Sequence, residues 1–139
     1  MRQIQHRLTV KTSGRGFVDI TSETSELLRS SGLQLGQITV FCRHTSASLL
    51  IQENADSSVL DDLEKVFERI APEKHGLYAH ESEGPDDMPA HIRAALTQNS
   101  LIIPFAEGDL LLGTWQGIYL FEHRRAQHRR EIVLHFVGE

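Results

Sequence analysis

Cysteine is almost absent from this sequence: Cys42 is the single one among 139 residues. One thiol excludes a disulfide within the chain and any zinc site built from several cysteines. Such sparse use of cysteine favours a reducing compartment, so we expect a cytoplasmic protein. A metal site would have to use imidazole and carboxylate ligands, and the chain contains eight histidines.

Long apolar runs are absent as well. The longest, such as residues 48–51 and 110–112, are far shorter than the roughly 20 residues that a membrane span needs. The first residues contain no apolar segment typical of an export signal. No repeat or Pro/Gly/Ser-rich linker interrupts the sequence. We therefore expect one domain over residues 1–139, with no membrane partner.

Basic charge is also scarce, because the net charge is −5 with neutral histidine. Without a basic stripe and interleaved aromatics, nucleic-acid binding is not expected. Residues 51–87 carry 11 acids and three bases, a net charge of −8, which leaves +3 for the remainder. An acidic region attracts a cation, although such acids are also normal on an exposed helix face.

Hydrophobic periodicity predicts the secondary structure. Alternating or β-branched segments indicate strands near residues 4–10, 17–20, 37–43, 47–52, 100–105, 110–113, 115–123 and 131–137. Helical spacing predicts a helix from Asp56 to Ile70, ended by Pro72. Because the strands cluster at both ends of the chain, the expected fold class is α+β, a mostly antiparallel sheet or sandwich with two to three helices.

Two shorter helices are predicted from their end signals. Thr21 and Ser22 offer a hydroxyl cap and Gly32 a stop, while Asp87 is a plausible cap for a helix with Pro89 in its first turn. Between the second and third helices, residues 72–88 form a long polar stretch. Such a stretch is uncommon inside a compact domain unless it has a binding or catalytic task.

Two histidines bracket the end of this polar stretch. His80 and His91 enclose acidic residues, and His44 lies where a predicted strand ends. Imidazole suits zinc, iron, nickel and copper, and three protein ligands with an open position are typical of a catalytic metal. The alternative is that these histidines are ordinary surface residues, because the sequence cannot show that they converge.

Other polar residues interrupt predicted strands. Glu53 and Glu122 each follow an apolar run and could bind metal or transfer protons, or could instead be capping or solvent-facing acids. Trp115, between two glycines, could stack on a flat ring or fill the core. A third group, the arginines near the last predicted turn, could hold an anion: Arg124, Arg125, Arg129 and Arg130.

Several blocks in this order carry a resemblance to a known family. They are His44-Thr45-Ser46-Ala47, Glu53-Asn54-Ala55-Asp56, the stretch from His80 to His91 with Asp87-Met88-Pro89-Ala90, and Leu112-Gly113-Thr114-Trp115-Gln116, followed closely by Glu122 and Arg124. The sequence resembles the YjbQ-like family over nearly its whole length. Members of that family are named secondary thiamine-phosphate synthases or left as proteins of unknown function.

The resemblance implies a homotrimer with a divalent metal, zinc or magnesium, held by His44, His80 and His91. It implies a transferase that joins an aminopyrimidine diphosphate to a thiazole phosphate and releases pyrophosphate. Glu53, Asp87 and Glu122 would then orient ligands or move protons. Phosphates and rings would be bound by Thr45, Ser46, Asn54, Trp115, Gln116, Arg124 and Arg129.

Two other functions fit the same residues. One is a metal-dependent hydrolase of a small phosphorylated metabolite, because the same site could activate water. The other is a non-catalytic trimeric module that binds a structural metal or an anion. If subunits assemble, a site could also lie between chains and combine His44 of one with the polar loop of another.

Overall fold

A computed structural model describes all residues, 1–139, and contains eight strands and three helices. The strands are β1 (Arg2–Thr12), β2 (Gly16–Asp19), β3 (Leu35–Cys42), β4 (Ala47–Glu53), β5 (Ser100–Ala106), β6 (Asp109–Leu110), β7 (Gln116–Glu122) and β8 (His128–Gly138). The helices are α1 (Thr21–Ser31), α2 (Ser57–Ile70) and α3 (Asp87–Leu96). None of these helices is long and apolar enough to cross a membrane.

The strands form two antiparallel sheets. The larger has the order β1-β8-β3-β5-β6 and the smaller the order β2-β7-β4. Every strand pairing in both sheets is antiparallel. The predicted α+β class, with a mostly antiparallel arrangement, is therefore confirmed, and the number of helices is three.

One hydrophobic core joins the two sheets. In β8 the alternate residues Ile132, Leu134 and Phe136 are completely buried, as the period of two along a strand requires. All three belong to a single cluster of seventeen buried residues, drawn mainly from the two sheets and including Leu28 of α1. A continuous core of this kind makes the chain one compact domain.

The predicted helix ends need two corrections. At α1, Gly32 ends the helix in the left-handed conformation as predicted, but the expected hydroxyl cap is wrong. Asp19 Oδ1 instead accepts a hydrogen bond from Thr21 N, and Thr21 Oγ1 accepts one from Ile118 N. At α3 the cap position belongs to Asp86, so Asp87 lies in the first turn of the helix.

The remaining predicted elements agree with the structure except at residues 110–113. There the strand is reduced to the two residues of β6, and a turn follows. Residues 71–86 contain no helix or strand, as their polar composition predicted. They connect α2 to α3 and deliver His80 to the first turn of α3.

Candidate functional site

His80, Asp87 and His91 form the one cluster in the chain with the geometry of a metal site. Their ligand atoms all lie within 4.8 Å of one another. Asp87 Oδ2 is 2.7 Å from His80 Nε2 and 3.0 Å from His91 Nε2. The Asp87 side chain is almost completely buried, whereas both imidazoles are partly open to solvent. Solvent can therefore reach the imidazole side of the cluster.

The local sequence explains why these three side chains meet. Asp87 and His91 are four residues apart in α3, so they lie on the same face of the helix. His80 comes from the irregular segment and approaches the same face from outside the helix. One turn of helix thus places His91 beside Asp87, and the preceding segment places His80 beside the same carboxylate.

The protonation of His91 follows from its hydrogen bonds. Its Nδ1 lies 2.8 Å from the carbonyl oxygen of Thr45, which can only accept, so Nδ1 carries a proton. In the neutral ring Nε2 then presents a lone pair to the Asp87 carboxylate, which also only accepts. Two acceptors 3.0 Å apart repel unless a proton or a cation lies between them. Donation from the second ring nitrogen to a backbone carbonyl is the usual support of a metal-bound histidine.

Arg124 fixes the orientation of the central carboxylate. Its Nη1 is 2.6 Å from Asp87 Oδ1, its Nε is 3.0 Å from Asp86 Oδ2, and its Nη2 is 3.0 Å from the carbonyl oxygen of Glu83. The guanidinium is thus occupied within the chain. The expected contact of Arg124 with a substrate phosphate stays a prediction, and the structure adds Asp86 as a supporting residue that sequence reasoning missed.

The pKa of Asp87 lies below its usual value. Burial alone would raise it, but the hydrogen bond with His80 and the charges of His91 and Arg124 outweigh that effect. The pKa of Asp86 is lowered in the same way, against the effect of burial, by Arg124 and the backbone N–H of Arg125. Both carboxylates are therefore ionised at neutral pH, as metal binding requires.

Two cavities flank the cluster. A cavity of about 200 Å³ lies on the side of His80 and is lined by Lys74, His75, Tyr78, His80, Glu81, Gly84 and Pro85. A second, of about 260 Å³, lies on the side of His91 and is lined by His44, Thr45, Ala47, His91, Ala94, Ala95 and Asn99. Both are slightly smaller than the roughly 300–1,000 Å³ of typical small-molecule sites.

His44, the predicted third metal ligand, is outside the cluster. Its Nε2 accepts a hydrogen bond of 2.8 Å from the backbone N–H of Glu131, so that lone pair is already used. Burial, assisted by the positive charge of Arg130, lowers the pKa of His44. Within one chain the structure brings Asp87, and not His44, together with His80 and His91.

Glu122 is buried in the core of the fold and is not at the site surface. Arg130 Nε lies 2.7 Å from its Oε1, and Arg130 Nη2 and Thr12 Oγ1 complete the pairing. Burial by itself would raise the pKa of Glu122, but the hydrogen bonds from these donors lower it by a larger amount. The pKa is therefore below its usual value, and the carboxylate stays charged. A completely buried and fully paired acid has no access to substrate, which corrects the expectation of a catalytic role.

Ser46 and Thr45 also serve the chain itself. Ser46 Oγ accepts a hydrogen bond from Arg130 Nη2, while Thr45 uses its carbonyl oxygen to hold His91. Of these two residues, Thr45 lines the cavity beside His91 and Ser46 does not, and their expected role in substrate binding stays a prediction.

Four other predicted site residues lie at the end of the small sheet that is away from Thr45 and His91, namely Glu53, Asn54, Trp115 and Gln116. In the β4–β7 pairing Ala47 faces Glu122, whereas Glu53 faces Gln116. Seven residues of strand separate these ends by about 20 Å. Asn54 Nδ2 donates to the carbonyl oxygens of Thr114 and Gln116, and Gln116 Oε1 accepts from Gly113 N. Within one chain this loop, with its exposed Trp115, does not join the histidine cluster.

Arg129 is separate from both groups. It lines a cavity of about 370 Å³ with Lys11, Thr12, Gln127 and His128. Its neighbours are residues of the β1–β8 pair, and Lys11 is its cross-strand partner. The expected contribution of Arg129 to the same site as His80 is not supported by its position in the chain.

A buried imidazole, that of His123, makes stability sensitive to pH. Burial, assisted by the charges of Arg93, Arg130 and Arg15, lowers the pKa of His123 to about 3. Its Nε2 is 2.8 Å from Ser48 Oγ, and its Nδ1 has no partner. Between pH 6.5 and 3 the unfolded chain binds a proton at this position that the folded chain does not, so stability falls as the pH falls.

We expect His123 to lower the free energy of unfolding by about 1.6 kcal/mol between pH 6.5 and 5, with a slope that approaches about 1.4 kcal/mol per pH unit below pH 6. Denaturant unfolding at several pH values should show this slope, and the His123→Gln variant should lose most of it. The matched control is His75→Gln, which removes an exposed imidazole and should keep the slope. An unchanged slope in His123→Gln would show that other groups cause it.

Comparison with known proteins reveals similarity over the whole chain. A family model described as "UPF0047 protein YjbQ-like" matches residues 6–139. The UPF0047 protein sll1880 of Synechocystis is 50% identical over 138 residues, covering 99% of this chain and 94% of that protein. The UPF0047 protein YjbQ of Escherichia coli O157:H7 is 40% identical, covering 97% of this chain and 98% of the relative.

A solved structure has the same fold. It is an uncharacterized conserved protein of the yjbq/upf0047 family from Clostridium acetobutylicum, with a TM-score of 0.83 and 35% identity, covering 96% of this chain and 99% of that one. These descriptions carry a family name and no activity. They support the resemblance seen in the sequence motifs, whereas the implied synthesis of thiamine phosphate gains no support from them.

Proposed function

Since the chain belongs to the UPF0047 YjbQ-like family, we propose that it is a divalent-metal-dependent enzyme whose metal is held by His80, Asp87 and His91. The observation that carries the proposal is the convergence of two imidazole nitrogens, His80 Nε2 and His91 Nε2, on one carboxylate oxygen, Asp87 Oδ2, at 2.7 and 3.0 Å. When both imidazoles are neutral, a divalent cation would be held by all three of these side chains. The fit rests on residues of this chain alone.

The donor set favours zinc over magnesium. Two imidazoles and one carboxylate match zinc and other late divalent ions, whereas magnesium prefers oxygen ligands and retains water. Three protein ligands leave at least one position open, as catalytic zinc sites do. Of the two metals expected from the sequence, zinc is therefore the one that these residues support.

The reaction that this centre supports best is hydrolysis of a small metabolite. A divalent ion held there supplies a Lewis acid that activates water or polarises a carbonyl or phosphoryl oxygen. Arg124 keeps Asp87 oriented and ionised, and the two cavities offer room on either side of the cluster. The cluster has no free guanidinium, since Arg124 is paired and Arg129 lies elsewhere.

One observation supports a second candidate, the thiamine-phosphate synthase-type transfer with release of pyrophosphate. Lys74 lines the cavity beside His80 and is paired with no carboxylate. A free ammonium there could bind a phosphate of the substrate. The two reactions leave different products, namely free phosphate or another hydrolysis product in one case and thiamine phosphate in the other.

The proposal is tested by measuring zinc per chain in protein purified without an affinity tag, then screening product formation with the zinc-loaded protein. We expect about one zinc per chain in the wild type, and loss of both zinc and turnover in His80→Ala and His91→Ala. His75→Ala, which removes an exposed imidazole five residues before His80, is the matched control for zinc content. Zinc without turnover on hydrolytic or thiamine precursors would favour the non-catalytic module. No zinc uptake would exclude the centre.

We also propose that copies of the chain assemble as the homotrimer that the family resemblance implies. The outer face of the five-stranded sheet supports this, because Leu35, Phe41 and Ile102 expose 64%, 41% and 65% of their surface there. Light scattering should give three times 15.7 kDa, and Ile102→Lys should reduce that mass. Val66→Lys, on the exposed part of α2, is the control. A monomeric wild type would contradict the assembly.

A further inference from the structure

The cavity beside His91 contains a second histidine with a defined role. His44 and His91 line the same space of about 260 Å³, yet only His91 belongs to the metal cluster. His44 Nε2 accepts the backbone N–H of Glu131 at 2.8 Å. A backbone N–H can only donate, so this nitrogen must carry the lone pair.

The state of the other ring nitrogen follows. A neutral imidazole has one N–H, and in His44 it must be on Nδ1. The Nδ1 atom has no hydrogen-bond partner within the chain, and it is not buried. Binding a metal through Nδ1 would require the proton to move to Nε2, which would break the bond with Glu131. His44 therefore presents a fixed N–H donor and no available lone pair.

The walls of the cavity carry no formal charge. Besides the two imidazoles they consist of Thr45, Asn99 and the methyl groups of Ala47, Ala94 and Ala95. The charged groups around the cavity are paired with one another: Asp87 behind His91 with Arg124, and Arg130 beside His44 with Glu122, so none of them is free to hold an anion. The free arginine and lysine side chains that would hold a phosphate lie in other cavities.

We propose that His44 is a substrate-binding residue that donates its Nδ1–H to an uncharged acceptor, such as an amide or lactam carbonyl oxygen, in the cavity beside His91. The volume of about 260 Å³ limits this group to a small fragment of the substrate. The assignment rests on the proposed function only in placing the fragment next to the metal centre. It adds the substrate class: a compound with a neutral carbonyl-like group, with any charged group outside this cavity.

The test is nuclear magnetic resonance of the full chain without added metal. The ¹⁵N signals of the His44 ring should show protonated Nδ1 and unprotonated Nε2. Acetamide should then shift the backbone signals of Ala94, Ala95 and Asn99 in a saturable way. Acetate, which has the same number of heavy atoms but a negative charge, should bind at least about threefold more weakly, because no positively charged side chain lines this cavity to replace the water around the carboxylate.

Variants separate His44 from the metal centre. His44→Phe keeps a ring without the donor and should weaken acetamide binding by about three- to tenfold, the effect of one neutral hydrogen bond. Its zinc affinity should stay within about twofold of the wild type, whereas His91→Gln should lose zinc. If His44→Phe is poorly folded, the ring signals of the wild type still decide the tautomer.

Several outcomes would overturn the assignment. They are a proton on Nε2, movement of that proton when zinc is added, equal binding of acetate and acetamide, or loss of zinc in the His44→Phe variant. Because the probe experiment contains no metal, its failure is separate from failure of the proposed metal centre. Absence of zinc binding in the wild type would contradict the proposed function. The His44 assignment would then still be decided by the ring signals and by the binding of acetamide.

Discussion

The Asp87→Asn variant is expected to bind zinc at least about 100-fold more weakly than the wild type. Changes in supporting residues of metal sites already reduce affinity by about 10–100-fold, and Asp87 is a direct ligand in the proposed centre. The substitution keeps the shape of the side chain but removes the negative charge that faces His80 and His91. Competition against a chelating dye, or calorimetric titration with zinc, measures the change.

The control for this variant is Asp61→Asn, which removes one negative charge from the exposed face of α2. It should change zinc affinity by less than about twofold, because an exposed charge far from the centre is screened. Equal affinities in Asp87→Asn and the wild type would show that Asp87 is not a ligand. A fall of similar size in both variants would indicate general electrostatic attraction without a specific centre.

The Glu122→Gln variant is expected to lose about 3 kcal/mol of unfolding free energy, which lowers the melting temperature by about 10 °C. Glu122 is completely buried, and its partner Arg130 is nearly so. Removing one member of a buried ion pair leaves the other charge without compensation. Thermal and denaturant unfolding should both register the loss.

Glu131→Gln is the matched control for Glu122, since it also breaks pairs between a glutamate and arginines. Glu131 is partly exposed and pairs with Arg43 and Arg7 at the surface, so its loss should cost less than about 1 kcal/mol. If Glu122→Gln unfolds like the wild type but loses turnover, the catalytic role expected from its sequence position would be restored. A stability loss with zinc binding retained supports the structural role.

Much of the fold could be predicted because the relevant signals are local. In β8 the alternation of Ile132, Leu134 and Phe136 indicates a strand, and all three are buried in the core. The helical spacing of α2 and the glycine at the end of α1 predicted those elements to within a residue or two. Pairings such as β1 with β8 join residues more than 100 positions apart, and no local pattern contains that information.

The candidate site shows the same division. His80, Asp87 and His91 were all predicted as functional residues, because the acidic segment between the histidines and the start of a helix are visible in the sequence. The role of Asp87 was not predictable, since it depends on Arg124 approaching from the end of β7. A signal for Asp86 was present in the two consecutive acids, although a helix cap and a supporting carboxylate look alike in sequence.

His44 and Glu122 show why residue type alone is insufficient. Both are polar residues next to strand ends, and both were predicted to act at the site. The backbone N–H of Glu131 uses the ligand atom of His44, and Arg130 with Thr12 uses both oxygens of Glu122. These partners come from distant parts of the chain, so only the folded structure shows which lone pairs remain free.

By itself the sequence determined that the protein has no internal disulfide, that it is an α+β domain, and that histidines and carboxylates between residues 80 and 91 are its best candidates for chemistry. These conclusions depend on composition and on relations between residues up to four positions apart, which strand and helix geometry impose directly. The tertiary structure decided which histidine meets which carboxylate, which acids are buried with an arginine, and that the loop of Trp115 lies at the end of β4 away from Thr45 and His91 in one chain. Such facts depend on long-range strand pairing and burial, which bring together groups that the linear sequence keeps apart.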